Sequence, residues 1–111
     1  MPVQKWDDDT LVVGLSDDPA LSDDMAETGA RLDAAARDVV LDFSDVARLT
    51  SSGISALLRL RKRQIETGRR LVLCAPTDAV WGVFLSTGID TLFKFAENVT
   101  QALARIQSDR A

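Results

Sequence analysis

The apolar positions along the chain follow two periods. Val39-Val40-Leu41, continuing into Asp42-Phe43, is an unbroken apolar run with β-branched valines, the pattern of a strand covered on both faces. Leu71-Val72-Leu73-Cys74-Ala75 has the same character. Residues 3–6 and 10–15 read as two shorter strands, and the Asp7-Asp8-Asp9 triplet between them predicts a hairpin with a polar, charge-protected tip. Leu21, Met25, Thr28, Leu32 and Ala36 then recur at near-helical spacing, with Asp23 and Asp24 in the first turn and Gly29, a poor helix former, inside the run. A second helix is expected from about Ser52 to Glu66-Thr67, with Gly68 as the residue that ends it. Ile54, Leu57, Leu58 and Ile65 share one of its faces, Arg61 falls on that same face, and Ser55, Arg59, Lys62, Arg63 and Glu66 lie opposite. Pro76-Thr77-Asp78 opens a short helix through Phe84-Leu85 that Gly88 closes. Residues 92–95 predict a last short strand, and Asn98 caps a final helix with Val99, Ala102, Leu103 and Ile106 on one face. The order β-β-α-β-α-β-α-β-α predicts an α/β domain spanning residues 1–111, with a largely parallel sheet of 4–5 strands and about four helices. The strands at 39–43 and 71–75, joined by a helix, are expected parallel with a right-handed crossover. Ile54, Leu57, Leu58, Val40 and Val72 are expected in one core.

Composition narrows the function classes. With one cysteine, Cys74, an internal disulfide is excluded and a reducing compartment fits. No N-terminal apolar segment and no membrane-spanning apolar run is present, so a cytoplasmic protein without membrane insertion is expected. Charge is split along the chain. Residues 1–50 hold 12 acids and 4 bases, residues 51–111 hold 5 acids and 9 bases, and the net charge is −4. An acidic chain lacks the basic footprint that phosphate backbones require, so nucleic acid is not expected as a partner. The cluster Arg59, Arg61, Lys62, Arg63 reads as a solvated helix face near a helix C-terminus. Asp17, Asp18, Asp23 and Asp24 read as a solvated helix start rather than a cation site.

Enzyme chemistry lacks parts. The chain has no histidine, no metal-ligand spacing, no Gly-rich phosphate loop and no Gly-x-Ser-x-Gly elbow. Neither a metal nor a cofactor is expected, and Cys74 reads as a small core residue. What stands out is Thr50-Ser51-Ser52-Gly53, three hydroxyls and a glycine between the central strand and its helix. Either Ser51 or Ser52 suffices as a helix cap, and one serine is enough for that task.

Asp42-Phe43-Ser44-Asp45-Val46, then Leu49-Thr50-Ser51-Ser52-Gly53-Ile54, then Leu57-Leu58, resembles the signature of the STAS family, the sulfate transporter and anti-sigma factor antagonist domains. In the bacterial anti-sigma factor antagonists this segment usually reads Asp-Leu-Ser and, a few residues on, Asp-Ser-Ser-Gly-Leu. The resemblance extends more softly to residues 68–73 and 85–93. It implies a STAS fold and a phospho-regulated module with Ser52 as the phosphorylation site, Ser51 and Thr50 being the neighbouring alternatives. The implied partner is an anti-sigma factor that is itself a serine kinase, bound through Ser51, Ser52, Gly53, Ser55, Arg59 and Asp17 and released on phosphorylation. The other role the family implies is a constitutive scaffold subunit of a stressosome-like or lipid-transport complex. Two positions depart from the usual pattern. Thr50 stands where an acid is usual, and Gly14-Leu15-Ser16-Asp17 replaces Gly-acid-apolar-Asp after the second strand.

Overall fold

Residues 3–110 are described by the computed structural model. The hairpin forms as expected, from β1 (Val3–Asp7) and β2 (Thr10–Ser16). Asp7 Oδ1 accepts the Asp9 N–H at 2.8 Å, and Lys5 pairs with Asp8, so the acidic tip is a closed, solvated turn. The chain continues through α1 (Ala20–Ala34), β3 (Asp38–Asp45), α2 (Ser51–Thr67), β4 (Leu71–Cys74), α3 (Asp78–Thr87), a 3-10 turn (Asp90–Leu92), β5 (Lys94–Ala96) and α4 (Val99–Arg110). The five strands lie in the order β1-β2-β3-β4-β5. β1 is antiparallel to β2 and every other pair is parallel. Gly68 and Gly88 end α2 and α3 at φ 69° and 72°, the left-handed conformation a glycine adopts without a Cβ penalty. Gly29 lies inside a continuous α1, which runs through it as the helical spacing of Leu21 to Leu32 predicts. Residues 92–95 are not one strand: a 3-10 turn takes up the first part and β5 begins at Lys94.

β3 and β4 are covered on both sides, and the two sides hold separate cores. Leu11, Val13, Leu41, Phe43 and Leu73 point to the face under α1, α2 and α3, where they meet Leu21, Leu57, Leu60, Val80 and Phe84. Val40, Val72 and Cys74 point to the other face, under Ala102, Leu103 and Ile106 of α4. Val40 and Val72 therefore do not share a core with Leu57. Strand residues alternate sides, and a single apolar run feeds two cores. Cys74 is fully buried, and burial pushes its thiol up to about 12, which suits a core residue.

The buried face of α2 is rotated by about a quarter turn from the face its apolar residues define. Gly53, Leu57, Leu60 and Gln64 are buried, whereas Leu58 is 37% and Ile65 62% exposed. Arg61 lies beside the 3-10 turn, where its Nε donates to the Leu92 carbonyl at 2.9 Å. Gln64 is tolerated inside because its Nε2 donates to the Arg37 and Arg70 carbonyls at 2.7 and 2.9 Å.

Asp24 departs from the solvated helix start expected of it. It is buried on α1, and its Oδ2 has no hydrogen-bond partner among the described residues. Burial raises its carboxyl above the ordinary carboxylate value, with Glu27 and Asp23 adding to the rise. A carboxyl with a raised folded-state value holds its proton longer in the folded state than in the unfolded one. Stability therefore falls as pH rises through the window from the ordinary value to the raised one. Asp24→Asn is expected to shift the urea midpoint upward at pH 7, with the gain shrinking towards zero at about pH 3, where both states are largely protonated. An equal gain at both pH values would show that ionisation of Asp24 is not the cause.

Candidate functional site

The turn from β3 into α2 is built by short-range bonds. Asp42 Oδ1 accepts the Ser44 N–H at 2.9 Å, and the Val46 N–H donates to the Phe43 carbonyl at 3.0 Å. Leu49 is buried and anchors the chain as it turns. Thr50, in extended conformation, is the N-cap of α2: its Oγ1 accepts the Gly53 N–H at 3.3 Å. The cap is thus neither Ser51 nor Ser52, and both serines are exposed. Gly53 is buried, and a Cβ there would stand 2.9 Å from Leu49 Cδ1, so the glycine permits the helix start to close on Leu49.

The loop between β2 and α1 lies alongside. Asp17 Oδ1 accepts the Ala47 and Arg48 N–H groups at 2.9 and 3.0 Å, which ties the two loops together. Asp18 Oδ1 accepts from Ser22 N and Ser22 Oγ at 3.0 and 2.7 Å, and its Oδ2 accepts from Thr50 Oγ1 at 3.2 Å. The Ser22 hydroxyl above all, helped by the Ser22 N–H and the Thr50 hydroxyl, holds the Asp18 carboxyl below its ordinary value although desolvation opposes it. Thr50 Oγ1 also lies 3.0 Å from Ser52 Oγ. A hydroxyl has one hydrogen. With the Thr50 hydrogen on the Asp18 carboxylate, the stronger acceptor, the Ser52 hydroxyl donates to Thr50. Ser52 is an exposed hydroxyl held beside Thr50.

Beside Ser52 a groove of about 340 Å³ runs between α1 and α2, lined among others by Ser22, Met25, Gly29, Ala56 and Arg59. Arg63 lines its far end and is bound to Asp33 of α1. Of the residues the resemblance pointed to, Ser51, Ser52, Gly53 and Asp17 gather at this loop pair, and Arg59 lines the groove. Ser55 is exposed on the neighbouring flank of α2. Asp18, Ser22 and the α1 wall were missed. The Asp-Pro pair ahead of a helix, with a serine four residues after the aspartate, marks a capping acid. It does not say that this acid reaches a second loop. Thr50 stands where the signature usually has an acid, and the Asp18 carboxylate reaches the Thr50 hydroxyl from another part of the chain.

An antiparallel hairpin leads into parallel strands β2 to β5, with helices on both faces and a hydroxyl-rich turn at the start of α2, which makes this an α/β domain of mostly parallel sheet. A family model described as "Mlab, STAS domain" matches residues 4–97, and the chain belongs to the STAS domain family. Among solved structures, RsbS of Moorella thermoacetica superposes with a TM-score of 0.82 at 21% identity, over 96% of this chain and 94% of that one. The unphosphorylated form of the anti-sigma factor antagonist SpoIIAA gives 0.82 at 20% identity, over 96% and 95%. The phosphorylated form of the Bacillus cell fate determinant SpoIIAA gives 0.74 at 18% identity, over 94% and 96%. At these identities the likeness carries the fold. Among the described residues no helix is long and apolar enough to cross a membrane, and no group of three His, Cys, Asp or Glu side chains could hold a metal.

Proposed function

We propose that this domain is an anti-sigma factor antagonist, a binding module that holds a serine-kinase anti-sigma factor when unmodified and is released when Ser52 is phosphorylated. The observation that carries this reading is the exposed Ser52 hydroxyl at the first turn of α2, oriented through Thr50 by Asp18 at the mouth of an open groove. ATP belongs to the partner. In the transfer, the Ser52 Oγ–P bond forms, the bond from the γ-phosphorus to ADP breaks, and the hydroxyl proton passes to a base. The product carries about −1.5 to −2 charges at neutral pH. The free N–H groups of the first helical turn tolerate that charge, so the domain stays folded. Within a protein interface the same charge must be desolvated, and binding is lost.

Ser52→Ala is expected to fold, to bind the partner and to be retained in the presence of ATP. Ser52→Asp is expected to fold and to bind at least about tenfold more weakly, a like-charge or desolvation cost of about 1.4 kcal/mol or more. The test is mass spectrometry of the domain after incubation with its kinase and ATP, beside a pull-down of both variants. Phosphate on Ser51 or Thr50 alone would move the site. A second reading, a constitutive scaffold subunit of a stressosome-like or lipid-transport complex, is favoured by Thr50 in place of the usual acid. No phosphate anywhere, with both variants binding equally, would select the scaffold.

A further inference from the structure

With the Thr50 hydroxyl donating to the Asp18 carboxylate, the unmodified Ser52 hydroxyl, 3.0 Å from Thr50 Oγ1, is the donor in that second contact. A phosphoserine has no hydroxyl hydrogen on Oγ to give, and a phosphate left in that position would face the carboxylate of Asp18. The same side chain borders the groove between α1 and α2. From α1 that groove receives Ser22, Met25, Ala26 and Gly29, none of them charged. From α2 it receives two cations. Arg63 is committed to Asp33. Arg59 is exposed and makes no ion pair or side-chain hydrogen bond among the described residues.

Residue 59 follows residue 52 by seven positions, which returns it to nearly the same side of the helix about 10.5 Å along the axis. Helical side chains lean toward the N-terminus, so the long Arg59 side chain covers the turn that leads back to Ser52. We propose that phosphorylation turns the Ser52 side chain out of its contact with Thr50 and into the α1–α2 groove, where the Arg59 guanidinium binds the phosphate. The inference rests on Ser52 being the acceptor. It adds a landing site to the switch: a planar guanidinium takes two phosphate oxygens at once, and the modified side chain fills the groove a partner would use. Release then has a steric part beside the electrostatic one.

The experiment uses the whole chain with phosphoserine installed at position 52 during synthesis, and follows the phosphate by phosphorus NMR through its second ionisation. A failure of any kinase to label Ser52 would defeat the proposed switch and leave this measurement untouched, because no kinase is involved. Arg59→Gln is expected to raise the midpoint of the phosphate titration by about 0.5 on the pH scale, the size of an exposed ion pair. Arg59→Lys is expected to restore part of the change, and Arg63→Gln to alter it much less. Amide spectra of each variant confirm the fold. If Arg59→Gln leaves the midpoint in place while Asp18→Asn lowers it, the phosphate stays beside Thr50 and the proposal is overturned. A larger effect from Arg63→Gln than from Arg59→Gln would overturn the assignment to Arg59.

Discussion

Asp38→Ala is expected to lower the unfolding free energy by about 2–4 kcal/mol, the cost of leaving unsatisfied the donors that converge on a buried carboxylate. Asp38 opens β3 and is fully buried. Its Oδ2 accepts from Arg110 Nε and Nη2 at 3.0 and 2.7 Å, and its Oδ1 accepts the Arg70 N–H at 2.8 Å. Arg110 Nη2 also donates to Thr10 Oγ1 at 2.7 Å. One carboxylate thus joins the start of β2, the start of β3, the approach to β4 and the C-terminal turn of α4. The Asp38 hydrogen bond raises the Arg110 guanidinium further above its ordinary value, consistent with a charge held by its partner. The alanine would leave the Arg70 N–H and two guanidinium donors facing a site that has lost its acceptor. Arg110→Ala is expected to cost less, because that side chain is partly exposed and water can replace it. Urea unfolding measures both, and hydrogen exchange in α4 should rise in each. A loss below about 1 kcal/mol for Asp38→Ala would mean that water or a rearranged arginine takes over its bonds.

The second large effect separates two adjacent leucines. Leu57→Ala is expected to cost about 2–5 kcal/mol, the range for deleting a buried leucine side chain and leaving a cavity. Leu58→Ala is expected to cost less than about 1 kcal/mol, as a surface change does. Leu57 is 1% exposed and belongs to the core under α1, α2 and α3, while Leu58 is 37% exposed. Urea midpoints of the two variants give the answer directly. Equal losses would place both leucines in the core and contradict the orientation of α2.

That contrast shows where reading the chain by apolarity fails. On α2 the four buried positions include a glycine and a glutamine, and two of the apolar residues face outward. Gly53 is inside because Leu49 approaches it closely, and Gln64 because two carbonyls, from residues 37 and 70, need a donor. Neither reason is local to the helix. The same holds for the cap. Three consecutive hydroxyls are visible in the sequence, but Thr50 takes the capping role and the serines are left exposed. The elements themselves were far more legible. Gly68 and Gly88 ended their helices where the sequence placed the stops, and Asn98 caps α4, with Oδ1 accepting the Gln101 N–H at 2.8 Å.

By itself the sequence determined the order of the elements, the parallel sheet, the hairpin and the hydroxyl-rich turn with Ser52 in it. These follow from periodicity, caps and breakers, which act over a few residues along the chain. Only the tertiary structure decided which face of α2 is buried, that the strands feed two cores, that a carboxylate from residue 18 orients the hydroxyls at 50 and 52, and that Arg59 shares a groove with Ser52. The carboxylate at residue 18 lies 32 positions from the hydroxyl it meets. A contact of that kind is set by how loops and helices come together over the sheet, and no local pattern encodes it.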